Sequence, residues 1–399
     1  MYLVSVLVVL ASIFSAYNLN LFQPQPNAMT TATVPDALAQ SAALASPKLR
    51  ILTQNLFMRP PLVKNNKSDW KDGRLDYFIE HILPNYDVVC MQEMFEYASS
   101  RRSRLLAAAE KLGFAYYMVS PRQFLWSVAI DGGLAILSRY PITETEELVY
   151  QRGMGPDWIP KKGVIYAKIA VKLEEGETAV HVFTTHTQAS YGEVVITQPD
   201  VKRRLAQLHE FHMFLEEVLP KHRQPGEAVV LTGDFNVDSR DHQLSDPERV
   251  SYERDVEDGL KTSNEGAAMM AVLRGHGIDP ALLGPDNQDT FKGREIIEFH
   301  DTLKERLGYH PVTFGNIMVG EDGTPRARET VLTTTQDNMV MHSIDYVIWH
   351  NPDASEQKHG IVASMLDVGV VPNFTPGMPF TQISDHYGVA AEVLFSRST

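Results

Sequence analysis

Two short runs carry the densest chemistry in this sequence, Gly233-Asp234-Phe235-Asn236 and Ser384-Asp385-His386. Each follows apolar residues, Ala228 to Thr232 in the first case and Ile383 in the second. Asp87 to Glu93 repeats the design with a terminal carboxylate, Leu49 to Asn55 ends in an amide, and Ala179 to His186 ends in an imidazole. Apolar runs that all finish in Asn, Glu, His or Asp predict strands whose ends converge on one pocket. Carboxylates, amides and two imidazoles gathered there suit a hard divalent cation and a phosphate ester.

Glu93 follows an apolar strand, where a lone carboxylate is costly to bury without a partner. A bound Mg²⁺ is such a partner, and Asn55 can add a neutral oxygen. The plainer reading is that Glu93 caps the sheet edge. Asp234 and Asn236 lie two apart, so on an extended segment they point the same way while Phe235 points into the core. Gly233 lets the backbone approach a phosphate. Taken alone, the same four residues would equally close a strand through an Asx turn. His386 can take a proton from water near neutral pH. Asp345, inside the otherwise apolar Ile344 to Val347, needs a partner and is its candidate orienting carboxylate. Asp385 is expected to face the metal. His186 shares a strand face with Val182 and Thr184, opposite His181, which is read as structural. No Ser or Cys sits in a nucleophile elbow, so the expected attack is in-line, by water, without a covalent intermediate.

Gln54-Asn55, Gln92-Glu93, Gly233 to Asn236, Ser343-Ile344-Asp345-Tyr346 and Ser384 to His386, in this order over residues 49–395, resemble the endonuclease/exonuclease/phosphatase superfamily of DNase-I-like metal phosphoesterases. Thr185-His186-Thr187-Gln188-Ala189 and Lys162-Gly163-Val164-Ile165-Tyr166-Ala167 are similar to the His-x-Gln-Ala and Lys-Gly runs of neutral sphingomyelinases. The resemblance implies an α/β fold, a four-layer sandwich of two packed mixed sheets flanked by helices. It implies that Asp234 orients or deprotonates the attacking water and that Asn236 holds a phosphate oxygen. It makes His186 a phosphate-oxygen stabiliser or a donor to the leaving alkoxide. The implied cofactor is Mg²⁺, with Mn²⁺ or Co²⁺ able to substitute. The implied activity is hydrolysis of sphingomyelin, or a related phospholipid at a membrane surface, to ceramide and phosphocholine. A secreted nuclease or other phosphoesterase of the same fold is the alternative. A non-catalytic toxin or membrane-binding module is a further one, but it has no need of Glu93, Asp234, Asn236, Asp385 and His386 together.

The formal net charge of −14 argues against a long nucleic acid as partner, because phosphate contacts require a basic excess. The single cysteine, Cys90, excludes an intrachain disulfide and reads as a small buried hydrophobe. Residues 1–16 are apolar and read as a signal peptide or hydrophobic anchor, which makes the protein secreted or membrane-tethered. Residues 17–47 read as a flexible linker, and 48–399 as one catalytic domain, monomeric, with a long insertion at about 238–340. Apolar spacing predicts helices over Asp72–Leu83, Arg102–Leu112 and Val201–Leu219, the last stopped near Pro220. Strands are expected at Gly133–Leu137, Val164–Val171, Val180–Thr184, Val229–Thr232, Ile344–Trp349 and Val389–Phe395. Val370 to Phe380 reads as an apolar, Pro-rich loop whose Phe374, Met378 and Phe380 contact substrate or membrane, with Lys162 added to that set. Met154, Pro156, Trp158 and Ile159 form a second candidate rim, and Phe95, Tyr97, Trp126 and Tyr191 are candidates for a choline cage.

Overall fold

The computed structural model describes residues 48–399 apart from 61–62, 64–68, 124–128, 175, 191–195, 243–258, 285–287, 335–337, 351, 353–360 and 398–399. The expected signal or anchor, the linker, Trp126 and Tyr191 therefore lie outside the described residues. The first sheet runs in the order β15 (Ile361–Val371), β16 (Gly388–Arg397), β1 (Lys48–Met58), β2 (Val88–Met94), β4 (Ala135–Ser138), β3 (Tyr116–Val119). The second runs β5 (Ile142–Val149), β6 (Gly163–Leu173), β7 (Gly176–His186), β8 (Ala228–Asp234), β14 (Asp345–His350), β9 (His300–Asp301). Both sheets are mixed: β1 and β2 are parallel, as are β7 and β8, and the remaining pairs are antiparallel.

Strand alternation builds the layers. In β1 and β2, Leu49, Ile51, Val88 and Cys90 point inward and meet Ile165, Ala167, Val182 and Val230 of the other sheet. Leu52, Val89 and Met91 point outward under α1 (Lys71–Tyr77) and α2 (Arg101–Lys111). Phe183, Val229 and Leu231 on the outer face of the second sheet are covered by α3 (Pro199–His222) and α4 (Asn264–Leu273). Helix, sheet, sheet, helix is the expected four-layer sandwich. Cys90 is fully buried, and burial pushes its thiol up to about 12, which fits the small-hydrophobe reading.

Some boundaries differ from expectation for local reasons. The first helix is regular only to Tyr77, then winds through a π turn at Phe78–Ile82 and a 3₁₀ turn at Leu83–Asn85. Pro84 has no N–H for the carbonyl of Glu80, so α-type bonding cannot run through it. Conversely, α3 continues to His222 past Pro220. Val370 and Val371 are not loop. They end β15, a strand not expected from the sequence, which covers the outer edge of β16.

Residues 237–344 leave β8 and return into β14, so both ends lie at the same level of the sheet. On the way the chain supplies α4, β9, α5 (Thr302–Leu307) and two small hairpins, β10 (Phe314–Gly315) with β13 (Met341–His342) and β11 (Ile317–Val319) with β12 (Pro325–Ala327). Met269, Val272 and Phe299 from this stretch are buried in the same core as α3. No helix among the described residues is long and apolar enough to cross a membrane.

Candidate active site

Register brings the polar strand ends together. Across β7, β8 and β14, His186 pairs with Asp234 and Asp234 pairs with Asp345, so three functional side chains stand side by side at one sheet edge. In the first sheet Asn55 pairs with Gln92, one residue before Glu93. Gln92 continues the inward parity of Val88 and Cys90. Its amide donates to Thr53 Oγ1 (3.1 Å) and across the interface to Thr184 Oγ1 (2.8 Å), which locks the two sheets directly beneath the site.

His386 is held on three sides. Its Nδ1 donates to Asp345 Oδ2 at 2.9 Å, which leaves Nε2 facing Asp234 Oδ2 at 3.8 Å. Its backbone carbonyl accepts from Gln54 Nε2 (3.2 Å), and the Phe314 ring lies 4.8 Å from the imidazole, centroid to centroid. Asp345 is itself fixed, since its N–H donates to Thr313 Oγ1 at 3.0 Å. Asp234 Oδ2 is the point of convergence: Asn55 Nδ2 lies at 3.0 Å and His186 Nε2 at 3.5 Å.

The charges are set by burial and mutual proximity. Burial pulls the His386 imidazole down, but Asp345, Asp234 and Asp385 around it outweigh that and push it up to about 10. Burial pushes Asp385 up to about 7 against the pull of His386, and Glu93 alongside adds to the rise. Burial likewise raises Asp234, with Asp345 adding to it and His386 opposing. His186 is moved the other way: burial, then the nearby Lys162 and His386 cations, hold it well below the usual imidazole range, so it stays neutral.

Glu93 and Asp385 fit a hard cation. Glu93 adopts a positive φ of 54°, which breaks strand alternation and turns its side chain out of the outer-facing row of Val89 and Met91. Its Oε2 is buried without any hydrogen-bond partner, a costly state that a divalent ion relieves. Asn55 differs from expectation. Its Oδ1 accepts from the Phe57 N–H (2.9 Å) while Nδ2 points at Glu93 Oε1 (3.3 Å) and Asp234. The opposite orientation would set NH₂ against an N–H, so the Asn55 amide group lies as a donor clip between carboxylates, with one of the two Oδ1 lone pairs taken by Phe57.

Other expectations are corrected by burial. Lys162 is 5% exposed; its ammonium pairs with Asp157 Oδ2 (2.9 Å) and donates to Thr187 O (2.7 Å), so it anchors the loop after His186 and does not touch a membrane. Phe380 is 1% exposed and packs with Phe57 and Leu332 beneath the loop it was expected to tip. Phe95 is buried, and its ring lies against Gly133. Gly233 serves the sheet: a Cβ there would lie 2.1 Å from the Thr185 carbonyl oxygen, which is a strand contact, not an approach to phosphate. Asn236 is not on an extended segment. With φ of 52° it turns the chain, its N–H donates to Asp234 Oδ1 (2.9 Å) and its side chain donates to Thr187 O (3.0 Å).

Sequence reasoning missed the residues that position the others. Arg74 is fully buried and donates to the carbonyls of Leu56 (2.8 Å), Phe57 (3.0 Å) and Ile383 (2.7 Å), as well as to Asp69. It thereby ties the end of β1 to the segment that carries Asp385 and His386. Phe314 and Thr313 come from the insertion. Their roles depend on contacts distant in sequence, and no local signal marks them.

A family model described as the Endonuclease/Exonuclease/phosphatase family matches residues 52–386. The chain belongs to this family. Within the family, it is 26% identical to a sphingomyelinase of Dictyostelium discoideum over 86% of this chain and 98% of that one. It is 31% identical to sphingomyelinase C of Bacillus cereus over 50% of this chain and 60% of that one. Among solved structures, sphingomyelinase C of Streptomyces griseocarneus superposes with a TM-score of 0.55 at 22% identity, over 87% of this chain and 99% of that one. A humanized Danio rerio TDP2 superposes at 0.50 and 15% identity, over 87% and 99%. The fold is thus common to both, while the two sequence relatives named above are sphingomyelinases. Family membership and the site chemistry together make it a metal-dependent phosphodiesterase.

Proposed function

We propose that this enzyme hydrolyses sphingomyelin, or a closely related phospholipid, to ceramide and phosphocholine with Mg²⁺ as its cation. The observation that carries the reading is the meeting at Asp234 of the His386–Asp345 pair and of the Asn55 amide, which links Asp234 to Glu93, with Asp385 beside Glu93 and His386. The sequence relative that aligns over 98% of its own length is a sphingomyelinase, which favours the lipid over other phosphodiesters. Glu93 and Asp385 would hold the cation. When bound it withdraws charge from the phosphoryl oxygens and the leaving group. Hard-ligand chemistry equally admits Mn²⁺ and, less well, Co²⁺.

His386 is the proton acceptor for the attacking water. Asp345 fixes Nδ1, so only Nε2 faces the pocket, and Asp234 orients the water beside it. In the metal-free site the surrounding carboxylates hold His386 protonated. Any positive charge that neutralises Glu93, Asp385 and Asp234 lowers that affinity and frees Nε2 as a base. His186, neutral and able to donate through Nε2, is placed to stabilise the departing oxygen. Asn236, whose amide gives one N–H to Thr187 O, offers the other to a phosphoryl oxygen.

Two exposed apolar rims frame the membrane side of this reading. Phe374 and Met378 are 39% and 40% exposed and line a groove of about 400 Å³ with Met318 and Arg328. Met154, Trp158 and Ile159 are exposed on a second loop, which Gln188 ties to the His186 turn by accepting from the Met154 N–H at 2.6 Å. Residues 1–16 would secrete or tether the enzyme. A nuclease is the second reading within the fold, disfavoured by the acidic net charge. The test is phosphocholine release from sphingomyelin vesicles with Mg²⁺ by well-folded wild type. Release supports the lipid reading, whereas no release together with cleavage of DNA or another phosphodiester replaces it with the nuclease or general phosphoesterase.

A further inference from the structure

Outside the catalytic pocket, one cluster combines metal-ligating side chains from distant parts of the chain. Asp238 follows the Asn236 turn, His242 lies four residues on, and His342 sits in β13. One ligand atom from each lies within 4.8 Å of the others. Asp238 is buried, and its Oδ1 is taken by the N–H groups of Ser343 (2.9 Å) and Arg240 (3.1 Å). That fixes the carboxylate and leaves Oδ2 directed at both imidazoles, 2.5 Å from His242 Nε2 and 3.7 Å from His342 Nε2. The two rings approach edge to face with centroids 5.4 Å apart. Burial draws His342 below the usual imidazole range although Asp238 opposes this, so it presents a lone pair near neutral pH.

We propose that Asp238, His242 and His342 form a second metal site, selective for Zn²⁺ or a similar borderline cation. Two imidazoles and one carboxylate are a common zinc donor set with room for a water, whereas Mg²⁺ prefers oxygen donors and is held poorly by imidazole. The exposed His242 gives the ion a route in. The site also bridges two segments that matter for the pocket. Asp238 is tethered to the chain just after Asp234 and Asn236, and His342 pairs with Phe314, whose ring covers His386. A cation there would clamp the hairpin of β10 and β13 onto the end of β8. The proposal does not depend on which phosphodiester the enzyme cleaves.

The test uses the full chain dialysed against Zn²⁺ in saturating Mg²⁺, so that the catalytic carboxylates are occupied. Metal analysis is expected to find one Zn²⁺ per chain. His242→Ala and His342→Ala should each weaken its retention at least about tenfold, since losing even a supporting contact costs about 10–100-fold in affinity. His386→Ala should keep it. Measured against each protein's own zinc-free midpoint, thermal midpoints should rise with Zn²⁺ in wild type and in His386→Ala, and in neither His242→Ala nor His342→Ala. Equal zinc retention and equal thermal shifts in wild type and both histidine variants would overturn the site, as would zinc lost from His386→Ala alone.

Discussion

Two buried histidine–carboxylate pairs lie at opposite ends of the same sheet, and their surroundings differ. His386 pairs with Asp345 at the edge where β8 and β14 meet, and His181 pairs with Glu227 at 2.9 Å beside β6. Around His181 every demand is met. Its Nδ1 accepts from Tyr166 Oη (2.8 Å), and Glu227 also receives Lys168 Nζ (3.0 Å) and the Gln224 N–H (2.7 Å). None of the buried polar side-chain atoms of these four residues lacks a partner. Around His386, Glu93 Oε2, His186 Nδ1 and Gln92 Oε1 all do. Burial lowers His181, which therefore stays neutral, while three carboxylates outweigh burial and raise His386. The pairing of a histidine with a carboxylate is thus a structural device in one place and a reactive one in the other. What separates them is the unsatisfied groups beside the pair, which hold open a place for ion and substrate.

Short of removing His386 itself, the largest effect should come from Asp345→Asn, which keeps the shape but lets the amide favour the wrong imidazole tautomer. Turnover should drop about 10²- to 10⁴-fold with little change in folding. Glu227→Gln in the other pair should leave turnover unchanged. Next, Glu93→Gln should raise the Mg²⁺ concentration needed for half-maximal activity by about 10–100-fold, and excess Mg²⁺ should restore most of the rate. Equal Mg²⁺ dependence in wild type and variant would remove Glu93 from the ion site. Phe374→Ala with Met378→Ala should cut hydrolysis on vesicles by up to about tenfold while sparing a short, soluble phosphodiester. Losing two half-exposed apolar side chains removes roughly 1 kcal/mol of interfacial burial.

The two pairs should also answer to opposite ends of the pH scale in the metal-free protein. Glu227 is held down to about 2, as donation from His181, Gln224 and Lys168 outweighs the larger single effect of burial. Its contribution is present above the ordinary 4.5 and is lost as pH falls toward 2. His386 is raised to about 10, so its contribution is complete below the ordinary 6.5 and is lost as pH rises toward 10. Denaturant midpoints against pH should therefore flatten on the acid limb in Glu227→Gln and on the alkaline limb in His386→Ala. The reverse assignment would contradict the charges given to the two sites.

The strand ends at Asn55, Glu93, His186, Asp234 and Asp385-His386 were legible in the sequence because a polar residue closing an apolar run is a local signal. The inward and outward faces of the strands were legible for the same reason. Three kinds of fact were not. Arg74, Phe314 and Thr313 act through partners hundreds of residues away or across an insertion, where composition says nothing about contact. Lys162 and Phe380 look exposed in a one-dimensional reading, but Asp157 folds back on the first and the 373–381 loop closes over the second. The direction of Asn55 and the turns at Glu93 and Asn236 depend on positive φ values and on which neighbouring N–H needs an acceptor, and neither is written in residue type.

The most direct measurement puts the two pairs in one assay: phosphocholine release from sphingomyelin vesicles in Mg²⁺ by wild type, His386→Ala and His181→Ala, each corrected for its folded fraction. His181→Ala strips Tyr166 and Glu227 of a partner and should cost about 1–3 kcal/mol of stability yet retain wild-type turnover. His386→Ala should fold and release nothing measurable. Turnover that survives in His386→Ala, or is lost in folded His181→Ala, would contradict the assignment of the reactive pair.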